Sequence, residues 1–209
     1  MTQVHVIQHP LLQHHLSILR EKTTPPWLFR QQVRRAATIL AGMATSDLPT
    51  QPVPVHTPLA TMTGARLACR IALIPILRAG LGLVDPLQDM IPEAQVWHLG
   101  MYRDEQTARP VEYYCKLPHD QPADVAFVLD PMLATGGSIA MAVEALQQWG
   151  CPDIRILSLI ASQPGIDFLC RQFANLNLFV AAIDPELNEQ KFIVPGLGDA
   201  GDRIFNTQR

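Results

Sequence analysis

Long apolar runs and paired cysteines are both missing from this sequence. Although 48% of the residues are hydrophobic, none of the runs approaches the roughly 18–20 residues that cross a bilayer. The first residues also lack the basic start and apolar core of a signal peptide. The four cysteines are widely spaced, which is typical of free thiols in a reducing compartment rather than of disulfides or zinc ligands. We therefore expect a soluble, cytoplasmic protein.

The charge balance and the length exclude further classes of protein. A net charge of −3 over 209 residues gives no general attraction to nucleic acid, so we expect no nucleic-acid partner. There is no internal repeat and no low-complexity tract, and the length is that of one ordinary domain. His5 and His9 are four residues apart, but no carboxylate or third ligand accompanies them. No histidine metal site is expected there.

The first quarter of the chain predicts helices and an extended arm. Residues 11–21 and 25–44 read as two helices, with Thr24 as the cap of the second and Pro25 in its first turn. Apolar residues recur along that second helix at helical spacing, so it is expected to pack on a sheet or on a second subunit. Four prolines follow between 49 and 58, which make this segment extended and keep it out of a central strand.

From residue 70 onward, strands and helices alternate. Strands are predicted at 71–77, 95–99, 125–129, 154–161 and 176–183. Helices are predicted at 80–90 (kinked or delayed by Pro86), 139–149 and around 166–173. This alternation predicts an α/β fold with a doubly wound, mainly parallel sheet. Residues 101–122 are too long and too polar for a simple connection, and the alternation from Val111 to Leu117 favours a two-stranded ribbon.

The connection after the 125–129 strand has the features of a phosphate site. Asp130 follows the strand directly, where an open α/β sheet presents polar groups to a ligand such as a sugar. The segment from Ala134 to Ser138, Ala-Thr-Gly-Gly-Ser, then opens into a helix that Gly150 is placed to stop. Free N–H groups at the positive end of a helix dipole bind phosphate, and the glycines allow a close approach.

That turn by itself does not identify a ligand. Many strand–turn–helix units contain two glycines and bind nothing. The sequence has neither the Gly-x-x-x-x-Gly-Lys-Ser/Thr loop nor the Gly-x-Gly-x-x-Gly fingerprint of dinucleotide sites. A binding turn and a purely structural turn both remain open at this point.

Several motifs together resemble the type I phosphoribosyltransferases, and within them the uracil phosphoribosyltransferase family. The loop Asp-Pro-Met-Leu-Ala-Thr-Gly-Gly-Ser carries the resemblance, as do Pro75-Ile-Leu-Arg78-Ala-Gly80-Leu-Gly82 and Pro195-Gly-Leu-Gly-Asp199-Ala-Gly-Asp202-Arg203. The shorter matches Gly100-Met-Tyr-Arg103-Asp-Glu105 and Leu187-Asn-Glu189 complete the series. These motifs span nearly the whole chain in the family's order.

The resemblance implies a function and a division of the chain. It implies Mg²⁺-dependent transfer of a phosphoribosyl group from phosphoribosyl pyrophosphate to N1 of uracil, giving UMP in pyrimidine salvage. It also implies one phosphoribosyltransferase domain, with helices and an arm in 1–60, the core in 70–185 and a base-binding loop and hood in 186–209. A homodimer or larger homo-oligomer is expected, and activation by a nucleoside triphosphate such as GTP is left open.

The resemblance also assigns residues. Arg78, Arg103 and Asp199 are the expected catalytic residues, and Asp199 is the one group expected to reach Mg²⁺, through water, while the substrate holds most of the metal. The arginines would hold the pyrophosphate because both follow strands that end at the edge of Asp130. The base is expected at Ile193, Gly198, Asp199 and Ala200. The donor is expected at Arg78, Ala79, Gly80, Arg103, Asp130, Met132, Ala134, Thr135, Gly136, Gly137 and Ser138.

Three positions depart from the family pattern, and other readings stay open. Relatives have Gly-Tyr where this chain has Lys191-Phe192, Tyr-Glu-Ala where it has residues 42–44, and a glycine where it has Asn206. Lys191 would be strained if that glycine had a positive φ. A surface turn in which Asp202 and Arg203 form a local ion pair is the alternative reading of 195–203. With the other motifs present, we expect Asp199 to be functional and Asp202 to be structural. The alternatives are a catalytically weak donor-binding regulator, perhaps of RNA, and a transferase for another base.

Overall fold

The computed structural model describes residues 1–103, 110–115, 117–118 and 120–207, and in 101–103 and 110–115 it describes the backbone alone. Glu105 therefore lies outside the described residues. The helices are α1 (Pro10–Arg20), α2 (Pro26–Ala44), α3 (Val84–Met90), α4 (Gly137–Trp149), α5 (Gln163–Gln172) and α6 (Ala200–Phe205), with a 3-10 turn at Ala79–Leu83. The strands are β1 (Gln3–Val6), β2 (Thr50–His56), β3 (Thr61–Leu67), β4 (Ile71–Leu77), β5 (Gln95–Val96), β6 (Leu99–Arg103), β7 (Pro110–Cys115), β8 (Val125–Leu129), β9 (Met132–Leu133), β10 (Asp153–Ser162), β11 (Asn177–Asp184), β12 (Glu186–Leu187) and β13 (Ile193–Val194).

A mainly parallel sheet forms the centre of the protein. Its strands follow the order β1-β11-β10-β8-β4-β6-β7, with β5 beside β4 and β9 beside β10. Every pairing in this sheet is parallel except β6 with β7. The predicted doubly wound sheet is confirmed. The ribbon predicted within 101–122 is present as the β6–β7 pair, while residues 104–109, 116 and 119 lie outside the described residues.

Helices cover both faces of the sheet, which explains why its central strands are apolar throughout. Leu73, Phe127 and Leu157 face a core shared with α1, α2, α3 and α6. Their neighbours Ile74 and Val128 face a second core shared with α4 and α5. Strands buried on both faces read as continuous apolar runs, as in the short strands of this sequence. No helix in the described part of the chain is long and apolar enough to cross a membrane.

The predicted elements differ from the structure mainly at their ends. Thr24 does not cap α2, because the cap position is Pro25, without a side-chain bond, and the Thr24 hydroxyl donates to the Ile18 carbonyl at 2.6 Å. The helix predicted from residue 80 begins as the 3-10 turn, and α3 starts only at Val84. The strand predicted at 95–99 divides into β5 and β6. Strand β1, which pairs with β11, was not predicted.

An antiparallel ribbon, β2 with β3, stands apart from the main sheet. Its residues are exposed or half-exposed, and Leu59 at the tip is 97% exposed. Pro52 and Pro54 lie within β2. A two-stranded ribbon tolerates them because it consists only of edge strands. The predicted extended arm outside the central sheet is confirmed.

A buried arginine joins α2 to the amino end of β10. The Arg155 side chain is only 5% exposed. Its guanidinium donates to the Ala44 carbonyl at 2.6 Å and pairs with Asp47 at 2.5 Å and Asp153 at 2.7 Å. It also lies 6.0 Å from the centre of the Phe127 ring. Burial lowers the pKa of Arg155, but the two aspartates outweigh this and the net shift is upward.

We expect Arg155→Ala to lower the free energy of unfolding by about 2–4 kcal/mol. The substitution removes every hydrogen bond of the guanidinium and leaves the buried Ala44 carbonyl without this donor. Urea unfolding followed by circular dichroism, at one fixed protein concentration, measures the change.

Asp47→Asn is the matched control, because the Asp47 side chain is 72% exposed. We expect it to cost no more than about 1 kcal/mol. The hydrogen bond and charge of Arg155 hold the pKa of Asp47 below its ordinary value of 3.8. The stability that the Asp47 carboxylate contributes is therefore complete above pH 3.8 and is lost as the pH falls through the lowered pKa of Asp47. A cost for Asp47→Asn equal to that of Arg155→Ala would contradict a central role for the arginine.

Candidate active site

The carboxyl ends of the parallel strands bring the candidate residues to one edge of the sheet. Arg78 follows β4, Asp130 follows β8, and Asp184 ends β11. Since β4, β8, β10 and β11 are parallel neighbours, these residues emerge on the same side. This is the position at which open α/β sheets bind ligands.

The predicted phosphate loop forms a small concavity at this edge. The concavity, of about 40 Å³, is lined by Asp130 and by residues 132–139. One carboxylate oxygen of Asp130 accepts a bond from the Met132 N–H at 3.2 Å. The loop then enters α4, which begins at Gly137. The structure thus brings all the predicted residues of this loop together at a helix N-terminus.

The neighbouring helix α5 fixes the shape of the loop, and this contact was not predicted, although the helix was. The Ser162 hydroxyl donates to the Ala134 carbonyl at 2.6 Å and accepts a bond from the Gly165 N–H at 3.0 Å, so it also caps α5. Gly136 has a φ of +81°, and a Cβ there would lie 2.9 Å from the Phe168 ring. We interpreted the glycine as making room for a ligand, but it also makes room for α5.

The glycine in the segment after β4 also makes room for another part of the protein. The Leu77–Arg78 peptide bond is cis, and the chain then enters the 3-10 turn with Ala79 and Gly80. A Cβ on Gly80 would lie 2.3 Å from the Leu129 carbonyl oxygen and 3.1 Å from the Pro75 Cα. Backbone cannot move aside cheaply. Gly80 is therefore required by the contact of this turn with β8, the strand that presents Asp130.

The Arg78 side chain bridges from its own turn to the C-terminal segment. Its guanidinium donates to a carboxylate oxygen of Asp202 at 2.9 Å and to the Thr207 hydroxyl at 3.2 Å. The Thr207 hydroxyl donates to the same Asp202 oxygen at 2.7 Å. Arg78 remains 57% exposed, so it faces open space as well. The structure places Asp202 beside the predicted pyrophosphate residue.

Arg103, the second predicted pyrophosphate residue, is described only through its backbone. It ends β6, whose first residues pair with the last residues of β4. The strand therefore runs on beyond the end of β4. Its side chain lies outside the described atoms.

The predicted base loop follows a short ribbon of β12 and β13. A cis bond joins Val194 to Pro195, and Gly196 and Gly198 have φ values of +63° and +77°. The Asp199 side chain then caps α6, because one of its oxygens accepts the Asp202 N–H at 2.9 Å. Asp199 is exposed. The remaining predicted base residues, Ile193 and Ala200, are buried on either side of this turn.

The structure does not favour the alternative reading in which Asp202 and Arg203 form a local ion pair. Asp202 pairs with Arg78, whereas Arg203 binds backbone carbonyls. The Arg203 guanidinium donates to the Leu197 carbonyl at 2.7 Å and the Glu21 carbonyl at 2.6 Å, and also to the Leu19 carbonyl. Neighbours in sequence on a helix point in different directions, so adjacency was a poor guide.

Arg203 also stacks on α2. Its guanidinium lies 4.2 Å from the centre of the buried Phe29 ring, within the range of a cation–π interaction. Burial lowers the pKa of Arg203, an effect that Glu21 partly offsets. Arg203 therefore connects the base loop with the end of α1 and the start of α2.

Arg20 is another arginine that binds this loop, and its role was not predicted. It forms a two-pronged ion pair with Asp184, with distances of 2.7 and 2.8 Å, and donates to the Gly196 carbonyl at 2.7 Å. Asp184 in turn accepts the Gly196 N–H at 2.9 Å. An acid at the end of a buried strand was the signal that singled out Asp130, and the same signal applies to Asp184.

Two substituted glycine positions have the backbone expected of glycine. Lys191 has a φ of +65°, which confirms the condition under which strain was predicted. It lies in the turn between β12 and β13, where its N–H donates to the Asn188 carbonyl at 2.9 Å. Asn206 has a φ of +56° and ends α6. Asparagine adopts this conformation more readily than lysine does.

The thiols and the acids limit the chemistry available. Burial raises the pKa of the Cys151 thiol to about 11 and also raises that of Cys69, which makes poor nucleophiles of both. Within the described ranges, no three His, Cys, Asp or Glu side chains form a group able to hold a metal.

Comparisons with known proteins identify the family of this chain. A family model described as uracil phosphoribosyltransferase matches residues 6–207. A uracil phosphoribosyltransferase from Roseiflexus sp. (strain RS-1) is 53% identical over 207 residues, which cover 99% of this chain and 100% of that protein. One from Desulfitobacterium hafniense (strain DCB-2) is 48% identical over 209 residues, which cover both proteins completely.

Solved structures share the fold. The AQ2163 protein from Aquifex aeolicus has a TM-score of 0.92 and 30% identity, covering 97% of this chain and 98% of that one. A hypoxanthine phosphoribosyltransferase from Trypanosoma cruzi has a TM-score of 0.51 and 11% identity, covering 76% and 75%. This second likeness concerns the fold alone. The family model and the full-length identities show that this chain belongs to the uracil phosphoribosyltransferase family.

Proposed function

We propose that this protein transfers the phosphoribosyl group of phosphoribosyl pyrophosphate to N1 of uracil, producing UMP and pyrophosphate in pyrimidine salvage. The observation that carries the proposal is the meeting of three segments at one sheet edge. They are the Arg78 turn, the Asp130 loop and the 193–203 segment, and the Arg78–Asp202 ion pair joins the first to the third. A full-length family match accompanies that geometry.

The donor has three parts, and we assign a group of the chain to each. The N–H groups of residues 134–138 at the start of α4 suit the 5′-phosphate. The Asp130 carboxylate suits the ribose hydroxyls. The turn at Arg78, Ala79 and Gly80 suits the pyrophosphate, together with Arg103 at the end of β6. A guanidinium can donate two parallel hydrogen bonds to phosphate oxygens.

The base is assigned to the segment that starts at Ile193. Gly198 and Ala200 offer backbone groups to the uracil edge, and Asp199 lies between them with its carboxylate exposed. One Asp199 oxygen is engaged in capping α6. The second oxygen is available to accept the N1 proton or to orient N1.

The reaction then requires positioning and charge stabilisation rather than a covalent enzyme intermediate. The bond from the sugar C1 to the pyrophosphate oxygen breaks, and the bond from C1 to N1 of uracil forms. The N1 proton passes to Asp199 or to water. Positive charge develops on the sugar while negative charge develops on pyrophosphate, so Arg78 and Arg103 act on the leaving group.

Mg²⁺ is the cofactor that we propose, and the acids present suit a mainly substrate-held ion. It would neutralise the diphosphate, with most of its ligands supplied by substrate oxygens and water. Asp199 is exposed beside the Arg78 turn and has one oxygen outside the α6 cap. This carboxylate is able to contact the ion through a water molecule.

Three finer proposals concern the setting of the enzyme. The exposed β2–β3 arm supports a homodimer or larger homo-oligomer, because several apolar side chains are exposed on it, namely Val55, Leu59, Met62 and Leu67. The free thiols of Cys69, Cys151 and Cys170 support a cytoplasmic location. Activation by a nucleoside triphosphate such as GTP stays a prediction from the family resemblance.

The first test is formation of UMP from uracil, phosphoribosyl pyrophosphate and Mg²⁺, with hypoxanthine, orotate and cytosine as rival bases. We expect turnover with uracil alone, and we expect Asp199→Asn to lower kcat by about 10²-fold or more. Asparagine caps helices as well as aspartate does, so the fold and α6 should persist in this variant. Thermal unfolding of the variant checks that.

Each failure in this test has a separate meaning. Turnover with another base would identify a transferase of different specificity. Tight donor binding without turnover for any base would overturn the enzymatic function and favour the regulator. Unchanged kcat in Asp199→Asn would remove Asp199 from the proton transfer while leaving the transferase intact.

The Gly80 turn offers a test of the donor site. We expect Gly80→Ala to raise the KM for the donor at least about 10-fold, because the new methyl group would meet the Leu129 backbone at 2.3 Å. Gly82→Ala is the control, since its methyl group would meet the end of the Ile204 side chain at 3.0 Å, which can shift. Initial rates at varied donor concentration measure both. Equal effects in the two variants would contradict the proposed link between the turn and β8.

Lys191 offers a test of the turn between β12 and β13. We expect Lys191→Gly to raise the free energy of unfolding by up to about 1 kcal/mol, because glycine relieves the φ of +65° but has more entropy to lose on folding. Asn206→Gly is the control and should gain less, because asparagine tolerates this conformation. Urea unfolding measures both variants. A loss of stability in Lys191→Gly would show that the lysine side chain makes a compensating contact.

A further inference from the structure

We propose that Arg20 and Asp184 are positioning residues for the base, and that their ion pair sets the place of the 193–200 segment relative to the donor site. The inference rests on the proposed function and adds to it. Neither residue belongs to the motifs that carried the family resemblance. Both contact Gly196 of this segment directly.

The ion pair holds both polar groups of one residue in the base loop. Arg20 binds Asp184 through two nitrogens, at 2.8 and 2.7 Å. The nitrogen at 2.8 Å also donates to the Gly196 carbonyl at 2.7 Å, and the Asp184 oxygen that it contacts accepts the Gly196 N–H at 2.9 Å. The Gly196 N–H and C=O are therefore fixed by a single pair of side chains.

Gly196 is well placed to transmit this constraint. Its φ is +63°, and a Cβ on it would lie 2.0 Å from the Ile193 carbonyl oxygen. The turn from Ile193 to Gly196 is thus closed tightly on itself. Ile193 lies three residues before Gly196 and Asp199 three residues after it, so displacement of Gly196 would move both ends of the proposed base site.

The two side chains belong to rigid elements. Asp184 ends β11, which lies between β1 and β10 in the sheet, and it is 4% exposed. Arg20 is the last residue of α1, whose apolar side chains join the core of α2. The loop is therefore attached at Gly196 both to the sheet, through Asp184, and to a packed helix, through Arg20. Precise sites need such supporting contacts.

Arg203 provides an independent attachment for the same segment. It donates to the Leu197 carbonyl and to the carbonyls of Leu19 and Glu21, on either side of Arg20. Loss of Arg20 therefore leaves the loop attached through Leu197 and through the Gly196 N–H, which still meets Asp184, while the Gly196 carbonyl is released. We expect the position of the loop to loosen without general unfolding.

Arg20→Lys is the principal variant. Lysine keeps the positive charge but lacks the planar fork, so it cannot bind both Asp184 oxygens and the Gly196 carbonyl together. We expect the KM for uracil to rise at least about 10-fold and the KM for the donor to change less than about 2-fold. Asp184→Asn is the second variant and should show the same separation. Arg34→Lys is the control, because Arg34 forms an exposed pair with Asp85 and should leave both constants unchanged.

Hydrogen exchange measured by mass spectrometry provides a readout that does not need turnover. We expect amides in the peptides that cover 193–203 to exchange faster in Arg20→Lys and Asp184→Asn, with little change in α4 and β8. Unchanged exchange in 193–203 would overturn the positioning role. So would parallel rises in both KM values, which would indicate a general structural defect. Faster exchange in 193–203 in a protein that does not turn over uracil would uphold the positioning of the loop and overturn only the proposed function.

Discussion

The parallel pairing of β4, β8, β10 and β11 is the constraint on which the rest of the structure depends. Parallel strands end at one edge, so Arg78, Asp130 and Asp184 are neighbours there although they are far apart in sequence. Helices on both faces bury the strands and leave that edge as the accessible surface. Residues that must meet a charged ligand can therefore be placed on loops, while the sheet supplies the rigidity.

The glycines of this edge have a double role that revises a simple interpretation of glycine-rich loops. Gly80 makes room for the Leu129 carbonyl, and Gly136 makes room for α5. Each glycine lets one loop approach a second element of the protein closely. The backbone of these loops is thereby held in place by the protein itself, and preorganisation of this kind is what electrostatic catalysis requires.

The sequence was informative where the relevant physics is local. The buried strand 125–129, the turn that opens α4 and the stop at Gly150 all follow from neighbouring residues, and the structure confirms them. Tertiary contacts were not predictable in this way. Asp202 pairs with Arg78, 124 residues away, rather than with the adjacent Arg203. Thr24 had the composition of a cap, but its hydroxyl binds the Ile18 carbonyl. Arg20 gave no local signal, because its partners are more than 160 residues distant.

Those same separations bear on how the protein folds. The contacts of Arg20 span 164 residues to Asp184 and 176 to Gly196, whereas β4 meets β8 across about 50 residues and Ser162 meets Ala134 across 28. Closing a longer loop costs more chain entropy, and distant contacts form late when nearer ones can form first. A newly made chain should thus complete the contacts around the Asp130 loop before those that fix the 193–203 segment.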